Sequence, residues 1–385
     1  MHIRRNTGIL RRNTGKDYIM ENTFLKYGYT QEQVDRKVQT AWDAVFEGND
    51  RFYIEVADGT AFVTDTGNND VRTEGMSYAM MFAVQFDRKD IFDKLWKWTL
   101  KNMYMTDSTM KGYFAWSCKL DGTKNAYGPA PDGEEYFAMD LILADRKWGS
   151  TGDDENPGNY GWWARKILHT VLHHRYKMWN PWNHLIRFVP ACPFTDPSYH
   201  LPHFYEHFAD YAEGRDAKFW VKAAAASRNF LVKAAHPVTG MTAEYTYNDG
   251  TPNPYGPPKG HGDFFSDAYR TGANIGLDAL WNGKREELSA IADKLVTFFQ
   301  DTEITAYRKY SIDGTPTVIP ALHPTGLLAT LAETTLACSD ATSTACEKII
   351  RRFWETPPRT GNRRYYDNCL YLFAVLALSG KYAEE

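Results

Sequence analysis

Several features that mark common classes of protein are scarce in this sequence of 385 residues. It has no apolar run near the ~18 residues that a membrane helix requires, and its first twenty residues lack the apolar core of a secretory signal. A formal net charge of -4 provides no excess of positive charge for nucleic acid. Five scattered cysteines, an odd number, predict reduced thiols in a cytoplasmic protein. We therefore expect neither a membrane nor a nucleic acid as partner.

The start of the chain differs in character from the rest. It is basic and repeats the pentapeptide RRNTG at residues 4–8 and 11–15. We expect a disordered tail over residues 1–20, with Met20 as an alternative start. No linker rich in proline, glycine and serine divides residues 21–385, so one domain is predicted there despite its length.

Apolar patterns of helical length recur twelve times along the chain, and strand patterns are few and short, near residues 51–64 and 243–248. Amphipathic patterns alternate with patterns that are apolar on nearly every side, and a helix of the second kind belongs in the interior. Six such pairs predict two concentric rings of helices, an all-α (α/α)6 barrel. The predicted helices cover residues 31–48, 75–86, 89–103, 133–146, 160–175, 202–212, 216–235, 264–281, 285–300, 323–338, 342–354 and 366–379.

The even-numbered helices would form the inner ring of such a barrel. They would run parallel, so their N-termini would gather at one end. Polar or titratable residues precede or begin all six, although the segments are far apart in sequence. The pattern therefore predicts a reactive cleft at this end, built from Glu74, Asp132, Tyr199, Asp267, His323, Tyr365 and Tyr366.

Carboxyl groups in one cleft are typical of glycoside hydrolysis, where one is protonated to donate to the leaving oxygen and another is ionised. Glu74 opens the most apolar helix, and burial beside Asp132 would raise its pKa against the opposing effect of the helix N-terminus. Asp267 is flanked by the polar Ser266 and by Arg270, which would keep it ionised. Glu74 is thus the better candidate acid and Asp267 the better base. For each carboxyl taken singly, and for Asp132 above all, a plain role at a helix N-terminus remains the alternative.

Aromatic residues are abundant, at 15%, with 12 Trp and 24 Tyr. Their faces can stack on the apolar faces of sugar rings, and Trp116, Tyr113 and Tyr366 are the candidates for such contacts. Core packing is the alternative for each of the three, because Trp and Tyr are often buried with only a polar tip reaching out.

Two other classes of enzyme have some support in the sequence. The segment HFYEH, residues 203–207, matches H-x-x-E-H, so His203, Glu206 and His207 would serve a zinc metallopeptidase. No distant acidic third ligand is identifiable, and in the barrel this segment is an inner wall. A sugar isomerase or epimerase would need a pair of histidines at the mouth, for which His323 alone is thin support.

With these motifs assembled, the sequence resembles glycoside hydrolase family 8. The resemblance is carried by TEGMSYAM at residues 73–80, APDGE at 130–134 and SDAYR at 266–270, and it runs from about residue 21 to 380. It implies the (α/α)6 barrel and an inverting mechanism without metal or cofactor. Carried over residue by residue, it implies that Glu74 is the general acid and Asp267 the general base. Asp132 would bind and distort the sugar in subsite −1, and Tyr199 would hold the attacking water.

Further segments resemble an exo-acting subgroup of this family that releases xylose from the reducing end of short β-1,4-xylo-oligosaccharides. These segments include GYFAWSC, DPSYHLPHFYE and RTGNRRYYDNCLYLFA. In that subgroup a Leu-His-Pro segment, here Leu322–Pro324, kinks into the cleft and blocks it beyond subsite +1. His323 would contact the reducing-end xylose. Arg270 and Tyr366 complete the expected substrate-binding set, and an endo-acting xylanase, glucanase or chitosanase of the same family is the alternative.

Overall fold

The computed structural model of the chain describes residues 21–256 and 259–384. The tail predicted over residues 1–20 lies outside this range. In the described residues the backbone forms thirteen α-helices. They are α1 Thr23–Lys26, α2 Gln31–Val45, α3 Thr73–Gln85, α4 Lys89–Asn102, α5 Pro131–Trp148, α6 Tyr160–His173, α7 Pro202–Tyr211, α8 Gly214–Ala234, α9 Tyr269–Asn282, α10 Glu286–Phe299, α11 Pro324–Thr334, α12 Ser343–Glu355 and α13 Arg364–Leu378.

Helices α2 to α13 correspond one to one with the twelve predicted helices. Most of those expected inside are buried along nearly their whole length: in α13 every residue from Tyr365 to Leu378 is buried. Those expected outside bury one stripe only, as α2 does with Val34, Val38, Ala41, Trp42 and Val45. The alternation of hydrophobic patterns therefore predicted the two layers correctly.

The inner helices close into a ring. Each of α3, α5, α7, α9 and α11 packs against the next inner helix, and α13 returns to pack against α3. The outer helices α2, α4, α6, α8, α10 and α12 each pack on an inner helix. This is the predicted (α/α)6 barrel, and it places the starts of all inner helices at one end.

Proline fixes the start of three inner helices. Pro131, Pro202 and Pro324 occupy the first turn of α5, α7 and α11. Proline suits this position because its missing N–H would have no partner inside the helix and its φ is already helical. Each of these three inner helices consequently begins at a defined residue.

The described residues also form four short two-stranded sheets. The strands are β1 Tyr53–Glu55, β2 Ala61–Val63, β3 Val71–Arg72, β4 Ser117–Cys118, β5 Phe194–Thr195, β6 Thr246–Tyr247, β7 Arg308–Tyr310 and β8 Pro316–Pro320. They pair antiparallel as β1 with β2, β3 with β4, β5 with β6 and β7 with β8. The strand signals near residues 51–64 and 243–248 correspond to β1, β2 and β6, whereas the other strands were not predicted.

Helix α9 begins later than the pattern predicts. Residues 264–281 were expected to be helical, but α9 starts at Tyr269 and is preceded by a separate 3-10 turn, Ser266–Ala268. Phe264 instead forms a β-bridge with Tyr310. Asp267 therefore lies in the turn before the helix rather than in its first turn. No helix in the described part of the chain is long and apolar enough to cross a membrane.

Candidate active site

A cavity of about 600 Å³ opens at the end of the barrel where the inner helices begin. Its wall draws on all six inner-helix entries, as the sequence predicts. Every expected site residue except Tyr113 lines it: Glu74, Trp116, Asp132, Tyr199, Asp267, Arg270, His323 and Tyr366, with Tyr365 beside them. Residues from the six inner-helix entries, together with Trp116, thus share one cavity.

Arg270 is the central cation of this cavity. Its Nη1 lies 2.7 Å from Tyr78 Oη, 3.0 Å from Asp132 Oδ2 and 3.4 Å from Glu74 Oε2. Its Nη2 lies 3.6 Å from Asp267 Oδ1. One planar guanidinium therefore touches three carboxyl groups and fixes where they stand relative to one another, a task that suits its fork of five N–H donors.

The pKa of Glu74 is raised to about 7. Burial is the largest cause, because it removes water from the charged form; Arg270 opposes it, and the negative charges of Asp132 and Asp267 add to the rise. This is the direction that the sequence predicts from burial and a like-charged neighbour. The side chain can therefore carry a proton near neutral pH.

Glu74 also meets a hydroxyl from the last inner helix. Tyr365 Oη lies 3.0 Å from Glu74 Oε1. This approach depends on Gly75, since a Cβ there would stand 2.5 Å from Tyr365 Oη. A glycine next to the carboxyl is consequently required for close packing of α3 and α13, and the contact leaves Glu74 with a fixed orientation.

Asp267 is the most accessible of the three carboxyl groups. Its side chain is 36% exposed, against 15% for Glu74 and 7% for Asp132. The preceding residue, Ser266, has φ of +36°, a left-handed conformation that is unfavourable for residues other than glycine. This turn directs Asp267 into the cavity, where water can reach it.

Asp132 and Tyr199 both contact the Arg270 guanidinium. Asp132 is buried, and burial raises its pKa while Arg270 lowers it. The Tyr199 ring lies 5.6 Å from the Arg270 guanidinium carbon and stacks on Phe188. Asp132 contacts a cavity cation rather than capping α5, which has no side-chain cap. The alternative of a plain helix-terminal role therefore does not describe its main contact.

Leu322 and His323 line the cavity at a bend just before α11. His323 has φ of −126° and ψ of 68°, outside helical geometry, and Pro324 starts α11. His323 Nδ1 lies 2.8 Å from Asp367 Oδ2, and Arg359 donates to that same oxygen and to the backbone oxygen of Leu322. The His323 ring packs edge-on against Tyr366, with ring centroids 4.7 Å apart. A buried carboxylate thus holds the bend from behind.

The two remaining aromatic candidates separate. Trp116 lines the cavity, is 37% exposed and lies over the Arg72 guanidinium at 5.5 Å. Tyr113 is fully buried outside the cavity, where its hydroxyl donates to the backbone oxygen of Tyr176. The structure therefore does not bring Tyr113 to the cavity, and its buried ring and bonded hydroxyl favour the alternative of core packing.

Several cavity residues were missed in the sequence. Glu244 and His261 form a pair in the wall, with Oε2 and Nδ1 2.9 Å apart, and this contact raises the pKa of His261. Behind the wall, Asp196 is fully buried, and burial together with Asp267 raises its pKa well above the usual range. These residues lie in loops or at loop ends, where no periodic pattern marks them. The sequence feature that could have identified them is a histidine or carboxylate among glycine and proline residues.

The structure also places the histidines that the zinc-peptidase and isomerase alternatives would use. His207 contacts Arg146 through Nδ1 and Glu384 through Nε2, and His203 is buried inside the barrel wall. Among the described residues, these two histidines do not belong to any cluster of three metal-ligating side chains. The cavity does hold two histidines, His261 and His323, but each is bonded to its own carboxylate.

A helical barrel with a cavity at its mouth, one carboxyl of raised pKa and a second, water-accessible carboxyl is the arrangement of a glycoside hydrolase. Comparison with known proteins agrees. The model of glycosyl hydrolases family 8 matches residues 38–380, and the chain belongs to this family.

Two relatives and one solved structure show how close the similarity is. The chain is 53% identical to the reducing end xylose-releasing exo-oligoxylanase of Halalkalibacterium halodurans, over 94% of this chain and 93% of that protein. It is 52% identical to the protein of the same name from Bifidobacterium adolescentis, over 95% and 97% of the two chains. A crystal structure of a reducing-end-xylose releasing exo-oligoxylanase complexed with xylose superposes with a TM-score of 0.91 at 53% identity. The match covers 94% of this chain and 96% of that one.

Proposed function

We propose that this protein is an inverting glycoside hydrolase that releases xylose from the reducing end of short β-1,4-xylo-oligosaccharides. The main support for this mechanism is that Glu74 and Asp267 contact different nitrogens of Arg270. These contacts hold the two carboxyl groups apart in one cavity. Inverting enzymes need about 6.5–9.5 Å between such groups to admit water.

The roles follow from burial and accessibility. Glu74, whose pKa of about 7 keeps a large protonated fraction near neutrality, donates its proton to the glycosidic oxygen as that bond breaks. A water molecule attacks the anomeric carbon from the opposite face, and Asp267 accepts its proton. Asp132 and Arg270 hold the sugar at the reacting position, and Tyr199 positions the water.

The specificity rests on the bent Leu322–Pro324 segment. His323 reaches into the cavity from a bend supported by Asp367 and Arg359, and we assign it a hydrogen bond to the xylose in subsite +1. Trp116 and Tyr366 contribute aromatic surface to the sugar path. The names of the two similar proteins and the xylobiose bound in a mutant of a solved relative support a xylo-oligosaccharide as substrate.

Two further inferences concern the chain as a whole. The closure of α13 on α3 supports a single catalytic domain over residues 21–385. All five cysteines are free, four of them buried, which supports a reducing, cytoplasmic location and import of short oligosaccharides.

The deciding experiment uses xylotriose that carries ¹³C at the reducing-end C1. We expect labelled xylose and unlabelled xylobiose, identified by mass spectrometry. Label found in xylobiose would show that xylose is removed from the non-reducing end instead. Rapid internal cleavage of soluble xylan or of β-glucan would favour an endo-acting enzyme of the same family, and absence of any glycosidic cleavage would refute the proposed function.

A further inference from the structure

A cluster of metal-ligating side chains lies on the outer wall of the barrel, away from the cavity. His169 and His173 are four residues apart on α6, near its C-terminal end, and therefore share one face of the helix. Asp216 stands opposite them in the first turn of α8. None of the three residues lines the cavity or has a part in the proposed hydrolysis.

The three side chains converge on one point. His173 Nε2 lies 2.9 and 2.8 Å from the two carboxylate oxygens of Asp216, and His169 Nδ1 lies 3.8 Å from Asp216 Oδ2. The two imidazole rings are stacked with centroids 4.3 Å apart. One ligand atom from each residue lies within 4.8 Å of the others.

This spacing is close to that of a tetrahedral metal site. Ligands that are about 2.0–2.2 Å from a tetrahedral zinc ion stand roughly 3.3–3.6 Å from one another. The distances of 2.8 and 3.8 Å from Asp216 to the two histidines bracket this value. Small rotations of exposed side chains are therefore enough to seat an ion, and water would complete the fourth position.

We propose that His169, His173 and Asp216 bind a divalent transition metal ion, with zinc as the best match. Two imidazoles and one carboxylate suit Zn²⁺, Ni²⁺ and Cu²⁺. Mg²⁺ and Ca²⁺ prefer oxygen ligands alone, so they are excluded by the chemistry of the donors.

The ion would join two outer helices. The chain between the end of α6 and the start of α8, residues 174–213, contains α7 together with the cavity residues Phe188 and Tyr199. A metal bridge at the base of this span links its two ends. Because the ion binds the folded arrangement, it stabilises that arrangement by mass action and raises the melting temperature.

The test uses untagged, metal-stripped enzyme and titration with ZnCl₂, followed by calorimetry and thermal melting. We expect one saturable site, a higher melting temperature that EDTA reverses, and no response to MgCl₂. Cobalt(II) should give the visible absorption of a tetrahedral complex in the unaltered protein. Hydrolysis of xylotriose serves as a separate readout, which should be nearly the same with and without zinc.

Matched variants distinguish a metal site from an ion pair. His173→Gln keeps a hydrogen-bond donor for Asp216 but loses the ligand nitrogen, so zinc binding should weaken at least tenfold. His236→Gln removes a histidine elsewhere and should bind zinc as the unaltered protein does. Unchanged zinc affinity in the His173→Gln variant, or absence of both saturable binding and the cobalt spectrum in the unaltered protein, would overturn the proposal.

Discussion

Arg270 Nη1 lies closer to Asp132 Oδ2, at 3.0 Å, than to Glu74 Oε2, at 3.4 Å. The Arg270 guanidinium is thus shared between two carboxyl groups, with Asp132 in the tighter contact. Sharing weakens the effect of Arg270 on Glu74, so burial decides the protonation of Glu74. Glu74 and Asp132 are therefore held to different extents by Arg270, although both are buried beside the same side chain.

The first prediction concerns pH. An acid catalyst acts while protonated, so kcat/KM should fall as pH rises through about 7, the pKa of Glu74. Asp132→Asn removes a negative neighbour and should lower that pKa, which moves the alkaline limb of the profile to lower pH. Full profiles of kcat/KM for xylotriose measure this shift even where the rate is reduced. A limb that stays in place or moves upward would contradict the coupling.

The second prediction separates the acid from the rest of the site. Glu74→Ala should reduce hydrolysis of xylotriose by roughly 10²–10⁴-fold, the usual contribution of a general acid. A glycosyl fluoride needs no proton on its leaving group and should lose much less. Steady-state rates on both substrates provide the comparison. Equal losses would assign Glu74 some other role.

A third prediction concerns stereochemistry. If Asp267 activates water on the face opposite the departing sugar, each cleaved β-bond gives a new reducing end that is first in the α configuration. Proton NMR during the first minutes of hydrolysis distinguishes the anomers before they equilibrate. Asp267→Asn should lose activity on the oligosaccharide and on the fluoride alike. Early appearance of the β-anomer would indicate a retaining mechanism.

The fourth prediction tests the bend at His323. His323→Ala should weaken productive binding of xylotriose about 2- to 12-fold, which corresponds to the roughly 0.5–1.5 kcal/mol of one hydrogen bond. Deletion that flattens Leu322–Pro324 should open further subsites and allow internal cleavage of soluble xylan. Glu74 and Asp267 are unaltered in both variants, so chemistry on a well-placed bond persists. A deletion variant that still releases only xylose would show that another loop closes the cleft.

The fifth prediction is steric. Gly75→Ala would place a methyl group 2.5 Å from Tyr365 Oη, so the tyrosine must move away from Glu74. We expect destabilisation of about 1–3 kcal/mol from overpacking, together with a lower kcat. Gly128→Ala is the control at the same end of the barrel, since nothing lies within 4 Å of its added methyl group. Chemical denaturation and xylotriose kinetics of the two variants should differ accordingly.

The sequence was informative where structure is periodic. Helices such as α3 and α13 are apolar on almost every side, and this pattern alone places them inside. Because parallel inner helices begin at one end, the convergence of Glu74 and Asp267 could be predicted as well. Their roles as acid and base remain predictions for the experiments above.

The features that were not predicted from the sequence have a common cause. The pairing of Glu244 with His261 depends on how irregular segments pack, and no local pattern encodes such packing. Tyr113 shows a related limit. The local sequence around an aromatic residue does not reveal whether its ring packs in the core or lines a cleft. The late start of α9 arose because Phe264 pairs with Tyr310, a residue 46 positions away.

The contact between Tyr365 and Glu74 spans 291 positions of the chain. It can form only after α13 has been synthesised and has docked against α3, so the reactive centre is among the last parts of the protein to be assembled. Contacts at such long sequence separation slow folding, because the chain loses much of its freedom before they form. A nascent chain that already contains Glu74, Asp132 and Asp267 therefore still lacks the contact between Tyr365 and Glu74. During synthesis, activity should appear only once the helix that bears Tyr365 has left the ribosome.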